Sequence, residues 1–182
     1  MKATLTLFIV AICVSVGTAS LMMPSFLKKA SAKATCNLTF SKANVTGTIH
    51  LIQKQPNAPT EILVEVKGLA PNTFHGFHIH AVGNLTEGCD STGPHFNPLN
   101  KTHGAPFDDE RHFGDLGNIV SDANGVARKR FSDKLVTLSG PNSVIGRAFV
   151  VHEGRDDYGQ GGFADSKTTG HAGARIACGI IV

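Results

Sequence analysis

The sequence has no tryptophan, one tyrosine and three methionines among its 182 residues, whereas it has 20 glycines and 8 prolines. So few bulky residues and so many turn-forming ones indicate short strands around a modest aliphatic core. Internal repeats, low-complexity tracts and a long apolar helical stripe are all absent, so nothing favours a repeat protein or a helical bundle. The length favours one domain with an extension.

Strong charge of either sign is lacking as well. The 17 Lys and Arg residues nearly balance the 14 Asp and Glu residues, which leaves a formal net charge of +3. No basic run is longer than Arg128-Lys129-Arg130. The sequence therefore gives no reason to expect a nucleic-acid partner.

The first residues form the pattern of a secretory signal. Lys2 precedes an apolar run, Leu5 to Val16, and small residues follow at 17–20. The lack of arginine and the strongly apolar centre argue against a plastid transit peptide, which stays an alternative together with an uncleaved signal anchor reaching Met23. We predict cleavage after Ala19, export from the cell and no stable membrane association afterwards.

The predicted division of the chain is a signal peptide at residues 1–19, a short extension at 20–34 and a single domain at 35–182. Four Asn-x-Ser/Thr sequons are compatible with export, at Asn37, Asn44, Asn84 and Asn100. Asn44 lies in a predicted turn and is the one that we expect to carry a glycan.

Alternating residues and turn signals predict eight strands. They are Thr35–Phe40, Val45–Gln53, Glu61–Val66, Phe74–Ala81, Leu116–Ser121, Val126–Ser132, Arg147–Val151 and Arg175–Val182. The turn Asp122-Ala123-Asn124-Gly125 predicts a hairpin between two of them, because Asn-Gly accepts positive φ. The fold class is therefore predicted to be all-β, as a closed antiparallel barrel or sandwich.

Histidine spacing is the strongest functional signal. His78 and His80 alternate in a predicted strand and thus project from one face of rigid backbone. The stretch from Gly93 to Gly117 shows little periodicity, and long loops in compact domains are usually functional. That stretch and the region after it contain His95, His103, His112, Asp115 and His152. Imidazoles with one carboxylate suit copper and zinc, so these residues could build two adjacent metal sites.

Six motifs follow one another over residues 36–182. They are Gly76-Phe77-His78-Ile79-His80, Gly93-Pro94-His95-Phe96-Asn97-Pro98, His103-Gly104-Ala105-Pro106, Arg111-His112-Phe113-Gly114-Asp115-Leu116-Gly117-Asn118, Val151-His152-Glu153 and Gly170-His171-Ala172-Gly173-Ala174-Arg175-Ile176-Ala177-Cys178-Gly179. In order and spacing they resemble the copper/zinc superoxide dismutases. The resemblance implies an eight-stranded antiparallel Greek-key β-barrel or sandwich with two long functional loops. It also implies an antioxidant enzyme that converts superoxide to O2 and hydrogen peroxide by a Cu(II)/Cu(I) cycle with structural zinc.

The resemblance further implies a division of the ligands. Copper would be bound by His78, His80, His95 and His152, and zinc by His95, His103, His112 and Asp115. His95 would bridge the two ions and carry a proton during the reaction. Asp156 stands where the family has a carboxylate that links a copper ligand with a zinc ligand, here His78 and His103. Three histidines are assigned to no metal, namely His50, His75 and His171.

Arg175 is the residue that we expect to handle the substrate. A permanently charged guanidinium beside an open copper position would attract the superoxide anion and hydrogen-bond it. The Gly-rich segment from Gly159 to Gly173, with Lys167 and Thr169, would form the channel wall. Here the chain departs from the family, because Phe163-Ala164-Asp165 stands where many relatives carry one or two Glu residues.

The cysteines divide into three kinds. Cys13 would leave with the signal peptide. The resemblance pairs Cys89 with Cys178, and an exported chain permits that bond. Cys36, in the first predicted strand, would remain a buried thiol.

The partners follow from the resemblance as well. Relatives often dimerise through a patch that here includes Gly83, Ile145, Gly146 and the last strand, so we predict a homodimer, which a glycan at Asn84 would crowd. A copper chaperone is a further partner that the resemblance allows.

Two rival functions are a copper-delivery or metal-storage module on the same scaffold and a secreted β-sandwich interaction domain with one structural zinc. The first is disfavoured because the ligand set is complete and no Cys-x-x-Cys motif occurs.

Overall fold

The computed structural model describes residues 31–42 and 44–182, so the predicted signal peptide lies outside the described residues. Ten strands occur in that part of the chain: β1 Ala32–Asn37, β2 Phe40–Ser41, β3 Thr46–Gln53, β4 Thr60–Lys67, β5 Phe74–His80, β6 Thr86–Cys89, β7 Asp115–Val120, β8 Ala127–Asp133, β9 Ala148–His152 and β10 Arg175–Ile180. Between them lie a 3₁₀ turn, Asp90–Thr92, and a short helix α1, Ser166–Thr169. Among the described residues, no helix has the length and apolar character needed to span a bilayer.

Nine of these strands form two antiparallel sheets. One sheet has the order β1-β3-β4-β8, and the other has the order β2-β10-β9-β5-β7. The predicted all-β, antiparallel fold is confirmed, and each predicted strand occurs with its ends shifted by three residues or fewer. Strands β2 and β6 were not predicted, because strands of two and four residues are too short to show alternation.

The hydrophobic core lies between the two sheets. Alternate residues of β4, Ile62, Val64 and Val66, are buried against it, and burying each such side chain stabilises the fold by about 1.5–3 kcal/mol. From the second sheet, Phe77 and Phe149 stack with ring centroids 4.9 Å apart. Strand β1 and the residue Val182 close one side, where Thr35 and Val182 exchange two backbone hydrogen bonds of 2.8 and 2.9 Å, so the sandwich is tied along that edge.

The predicted turn at residues 122–125 forms and is closed by one antiparallel bridge between Ser121 and Ala127, but the hairpin does not continue along the two strands. Asp122 accepts the amide of Asn124 at 2.8 Å, and Gly125 has φ +71°. The strands on either side nevertheless join different sheets, because β7 pairs with β5 and β8 pairs with β4. Across the gap between them, Lys129 Nζ donates to the Asn118 carbonyl at 2.7 Å. The turn is therefore a corner of the barrel.

The disulfide predicted from the resemblance is confirmed. Cys89 at the end of β6 is bonded to Cys178 in β10, and both are fully buried. Cys36 is a free thiol in the core, where burial raises its pKa to about 12 and keeps it protonated. The first long loop covers residues 90–114, between β6 and β7. The bond thus ties the start of this loop to the strand that begins at Arg175.

Candidate metal centre

Strand β5, which lies between β9 and β7, has the core on one side and histidines on the other. Phe77 and Ile79 belong to the core, and the alternating His78 and His80 lie on the opposite face. Both imidazoles are buried because the long loops cover that face. The second long loop covers residues 153–174, between β9 and β10. A Cβ at Gly76 would lie only 2.8 Å from the Cβ of Ala172 in this loop, so the loop can pack on β5 this closely only if residue 76 is glycine.

Backbone hydrogen bonds attach the first long loop to β5. The Ile79 amide donates to the Gly114 carbonyl at 2.9 Å, and the Ile79 carbonyl accepts the Phe96 amide at 2.8 Å. A Cβ at Gly114 would lie 2.0 Å from the Ile79 carbonyl oxygen, so only glycine allows this approach. The attachment brings His95 and the segment 112–115 beside the histidines of β5.

A first cluster contains only imidazoles. One nitrogen from each ring lies within 4.8 Å of the others in the set His78, His80, His95 and His152. His80 Nδ1 donates to the Gly93 carbonyl at 2.8 Å, and His152 Nδ1 donates to the Gly173 carbonyl at 3.1 Å. In a neutral ring each Nε2 then has a bare lone pair. These two Nε2 atoms lie 3.4 Å apart, an arrangement of two acceptors that a cation between them would stabilise.

A second cluster surrounds the carboxylate of Asp115. Its Oδ1 lies 2.8 Å from His95 Nδ1, 3.0 Å from His103 Nδ1 and 3.1 Å from His112 Nδ1. The His103 contact has the length of a hydrogen bond but not its direction, so its short distance is not evidence of a bond. Oδ2 accepts the amides of Gly104 and His112, which fixes the carboxylate. Three imidazoles thus converge on one held oxygen.

Three buried nitrogens where the clusters meet have no hydrogen-bond partner among the described residues. They are His78 Nδ1, His95 Nε2 and His103 Nδ1. An unpaired buried polar atom costs about 1–3 kcal/mol, so their presence together indicates a site built for metal. Bare imidazole nitrogens suit copper and zinc, and a carboxylate oxygen on the second set suits zinc. The donor sets therefore fit two ions that share the ring of His95.

Asp156 connects the two clusters. Its Oδ2 lies 2.9 Å from His78 Nε2, and its Oδ1 lies 2.8 Å from His103 Nε2. Asn118, which the sequence analysis did not single out, donates to the Asp156 carbonyl at 3.0 Å and accepts its amide at 2.8 Å. Its only signal in the sequence is a polar residue within a predicted strand. In the structure every residue of β7 except Val120 is buried. Asn118 therefore fixes the backbone of Asp156, whose carboxylate contacts both rings.

Burial keeps three of these imidazoles neutral. Desolvation lowers the pKa values of His80, His95 and His152 well below the usual range. The pKa of His95 falls to about 3. Burial also acts to lower the pKa of His103, but the close carboxylates of Asp115 and Asp156 outweigh it and raise that pKa to about 9. Burial would raise the pKa values of the two carboxyl groups, yet the same imidazole contacts lower them.

We expect the metal-free protein to be most stable near pH 6.5. Below that pH the unfolded chain protonates three histidines that stay neutral when folded, so the free energy of unfolding falls by up to about 4 kcal/mol per pH unit. Above it, folded His103 keeps a proton to about pH 9, which the unfolded chain loses near 6.5, so stability falls again. Urea denaturation of the metal-free protein from pH 5 to 9 measures this profile. A free energy that is constant across this range would contradict it.

Arg175 begins β10 and is half-buried beside the first cluster. Its Nη1 donates to the Cys89 carbonyl at 2.9 Å and to the Thr92 hydroxyl at 3.1 Å. Arg175 is the register partner of His152 in the β9–β10 pair. After burial and the neighbouring imidazoles, its charge is a further cause of the lowered pKa values of His80 and His152. The disulfide-linked loop thus holds this cation beside the cluster.

Reduction of the disulfide is expected to destabilise the metal-free protein more than the metal-loaded one. The bond joins residues 89 positions apart, for which loop entropy predicts a contribution of about 4.6 kcal/mol. Bound metals would hold the same loop and reduce the effect. Thermal unfolding with and without reductant measures it, and the double variant Cys89→Ala/Cys178→Ala should not respond to reductant. Peptide mapping that found both thiols free in the purified exported protein would refute the pairing.

The other predicted channel residues lie on α1. Thr169 is exposed, and its hydroxyl donates to the Asp165 carbonyl at 3.2 Å. Lys167 borders a cleft of about 740 Å³ that is also lined by His95 and His112. Arg175 is not part of that cleft, so Lys167 faces the second cluster rather than the Arg175 side.

The three histidines that were assigned to no metal belong to neither cluster. His75 is buried, with Nδ1 2.9 Å from the His152 carbonyl. His50 is exposed on β3, and His171 stacks on Phe163 in the second loop.

Comparison with known proteins agrees with this geometry. Residues 45–181 match the family model described as copper/zinc superoxide dismutase (SODC). The chain is 60% identical to a superoxide dismutase [Cu-Zn] of Candida albicans over 139 residues, which are 76% of this chain and 90% of the relative. It is 51% identical to that of Saccharomyces cerevisiae with the same coverage. It is also 56% identical to superoxide dismutase [Cu-Zn] 2 of Mesembryanthemum crystallinum over 138 residues, 76% of this chain and 87% of the relative.

Proposed function

The chain belongs to the copper/zinc superoxide dismutase family, and we propose which of its residues bind each metal, bind the substrate and transfer the proton. Its function is superoxide dismutation in antioxidant defence, with copper and zinc as cofactors. Two superoxide anions and two protons give one O2 and one hydrogen peroxide, so the site needs a one-electron carrier, an anion-binding group and a proton donor. The assignment rests on one observation, the two ligand clusters that share His95.

We assign the first cluster to copper and the second to zinc. The copper ligands are His78, His80, His95 and His152, and the zinc ligands are His95, His103, His112 and Asp115. An all-imidazole set serves copper in both oxidation states, whereas the added carboxylate suits zinc. When bound, copper supplies one-electron exchange, and zinc supplies fixed charge and structure. Apart from His95, each ring has its other nitrogen held by a carbonyl or by the carboxylate of Asp156, which fixes its tautomer.

Two further roles belong to the protein itself. Arg175 attracts superoxide and orients it by hydrogen bonding, because its guanidinium stays charged beside the copper ligands. His95 carries a proton at Nε2, a buried nitrogen without a partner among the described residues, and delivers it to the reduced substrate. We also propose that Thr169 belongs to the wall that guides the anion, together with Lys167, which borders the cleft on the side of the zinc ligands.

Metal content and dismutation activity measured on one purified sample test this proposal. We expect one copper and one zinc per chain, and activity that disappears when the metals are removed and returns when they are restored. Zinc alone without activity would instead support a secreted interaction domain. Copper binding without activity would support a metal-storage module.

We propose that the protein is exported, with a signal peptide at 1–19, an extension at 20–34 and the enzyme domain at 35–182. The charged start, apolar run and small-residue exit support this route, as does the disulfide. All four sequon asparagines are exposed, which is compatible with glycosylation. N-terminal sequencing of the protein collected outside the cell tests the proposal, and a mature chain starting near Ser20 is expected.

We propose a homodimer through the apolar surface around Ile145. Ile145, Val82 and Val182 are 43%, 45% and 76% exposed. The segments that contain Gly83 and Gly146 meet at this surface so closely that a Cβ at Gly83 would lie 2.0 Å from the carbonyl oxygen of Gly146. Exposed apolar side chains grouped in this way are typical of an interaction site. On family grounds alone, a copper chaperone is a further proposed partner.

The variant Ile145→Asp is expected to be monomeric by analytical ultracentrifugation, because a charge would be buried in the contact. The matched control is Val120→Asp, at a site that is 48% exposed outside this surface. A dimer that survives the first change would show that the contact lies elsewhere. Removal of any glycan at Asn84 should strengthen association.

A further inference from the structure

Phe163 and His171 stack on each other across the short helix α1. Their ring centroids are 3.8 Å apart and their planes differ by 10°. His171 Nδ1 also lies 2.7 Å from Asp165 Oδ1, and this contact is the main cause that lowers the pKa of Asp165. Phe163 is 55% exposed, so the stack lies at the surface. We call the group formed by Phe163, Asp165 and His171 the clasp.

The clasp encloses a helix that is too short to be stable by itself. Helix α1 has four residues, far below the length at which a helix is stable in water. The Asp165 carbonyl accepts the amides of Thr168 and Thr169 at 3.0 and 2.8 Å. At the other end, His171 has φ +49°, a left-handed backbone conformation that is uncommon for residues other than glycine. Contacts outside the helix must therefore hold it in place.

The inner side of α1 contacts the proposed zinc site directly. The Lys167 carbonyl accepts the His103 amide at 2.9 Å. A Cβ at Gly170 would lie 2.1 Å from Asp156 Oδ1 and 2.5 Å from His103 Nε2, so the backbone covers both groups at close range. The Gly170 carbonyl also accepts the Asp157 amide at 2.8 Å. Movement of α1 would therefore uncover Asp156 and release the backbone of His103.

We propose that Phe163, Asp165 and His171 are positioning residues, which clasp α1 against His103 and Asp156. This role rests on the proposed function only where His103 is called a zinc ligand. The clasp combines an aromatic stack with one carboxylate contact at the surface of the loop that carries α1. It thereby links the outer surface of the channel loop to the carboxylate that orients both metal clusters.

Amide hydrogen exchange of the purified protein with its metals tests the clasp. The amides to follow are those of His103, Thr169 and Gly170. In Phe163→Ala they should exchange about two- to ten-fold faster, the range expected when one aromatic stack is lost. Phe163→Tyr retains the ring and should restore slow exchange. The clasp is wrong if Phe163→Ala leaves all three amides unchanged, or if Phe163→Tyr exchanges as fast as Phe163→Ala.

Two more variants separate the stack from general damage to the surface. His171→Asn loses the ring but retains a residue that accepts positive φ, so it should also speed exchange about two- to ten-fold. The double variant Phe163→Ala/His171→Asn should be no faster than the faster single variant, whereas multiplied effects would show that the rings act independently. Phe107→Ala is the control, because it removes a largely exposed ring that does not touch α1, and it should leave the three amides unchanged.

Zinc release distinguishes this proposal from the metal assignment. In the Phe163→Ala variant, a chelator should remove zinc about two- to ten-fold faster, and cobalt substituted for zinc should show an altered visible spectrum that Phe163→Tyr restores. Faster exchange together with unchanged zinc release and an unchanged cobalt spectrum would support the clasp and count against His103 as a zinc ligand.

Discussion

Replacing His152 with Ala is expected to reduce superoxide dismutation by more than about 100-fold while zinc stays bound. Even a residue that merely orients a metal ligand is worth about 10- to 100-fold in metal affinity or activity, so the loss of a ligand should exceed this. His152 belongs to the all-imidazole cluster and takes no part in the cluster around Asp115. Its variant should therefore lose copper alone. Elemental analysis and an activity assay on the same sample measure both effects.

Two comparisons make this result specific. His50→Ala removes an exposed histidine that belongs to neither cluster, and it should retain both metals and full activity. Asp115→Asn should do the opposite of His152→Ala, because it weakens zinc and loosens the first long loop. Normal activity in the His152 variant would show that the copper assignment is wrong.

The sequence predicted most of the frame that carries the clusters. Alternation was sufficient to find β5 and to put His78 and His80 on one face, because side-chain direction in a strand depends only on position along it. Convergence of the loop histidines was inferred from motif order alone. In the structure it depends on the hydrogen bonds between Ile79, Phe96 and Gly114, where Gly114 is the residue that permits the contact.

Other parts of the site could not be read from residue types. The acceptors that fix His80 and His152 are backbone carbonyls of Gly93 and Gly173, and any residue provides a carbonyl. The hairpin at residues 122–125 ends after one bridge for a similar reason, since a turn signal gives the local backbone path but not the partners of the flanking strands. Pairing across the barrel depends on distant segments, which local patterns do not encode.

Replacing Arg175 with Ala is expected to lower the second-order rate constant about ten-fold or more while both metals stay bound. Electrostatic steering contributes about 10- to 1,000-fold to association rates, and the guanidinium lies beside His80 and His152. Arg175→Lys is the matched control, because it retains the charge but loses the guanidinium fork, so its rate should be intermediate. Arg175→Glu should be slower than Arg175→Ala. Thermal unfolding must accompany these assays, because Arg175 also hydrogen-bonds the Cys89 carbonyl.

The dependence of the rate on salt separates guidance from docking. Screening shortens the reach of a charge to about 8 Å at physiological ionic strength, so the rate of the unmodified enzyme should fall as salt is added. If Arg175 guides the anion from a distance, Arg175→Ala should show a shallower slope, and Arg175→Lys should keep the original slope. If the residue only docks the anion at the copper ligands, Arg175→Ala should be slower at every salt concentration with an unchanged slope. Equal rates and equal slopes for the variant and the unmodified enzyme would show that Arg175 has neither role.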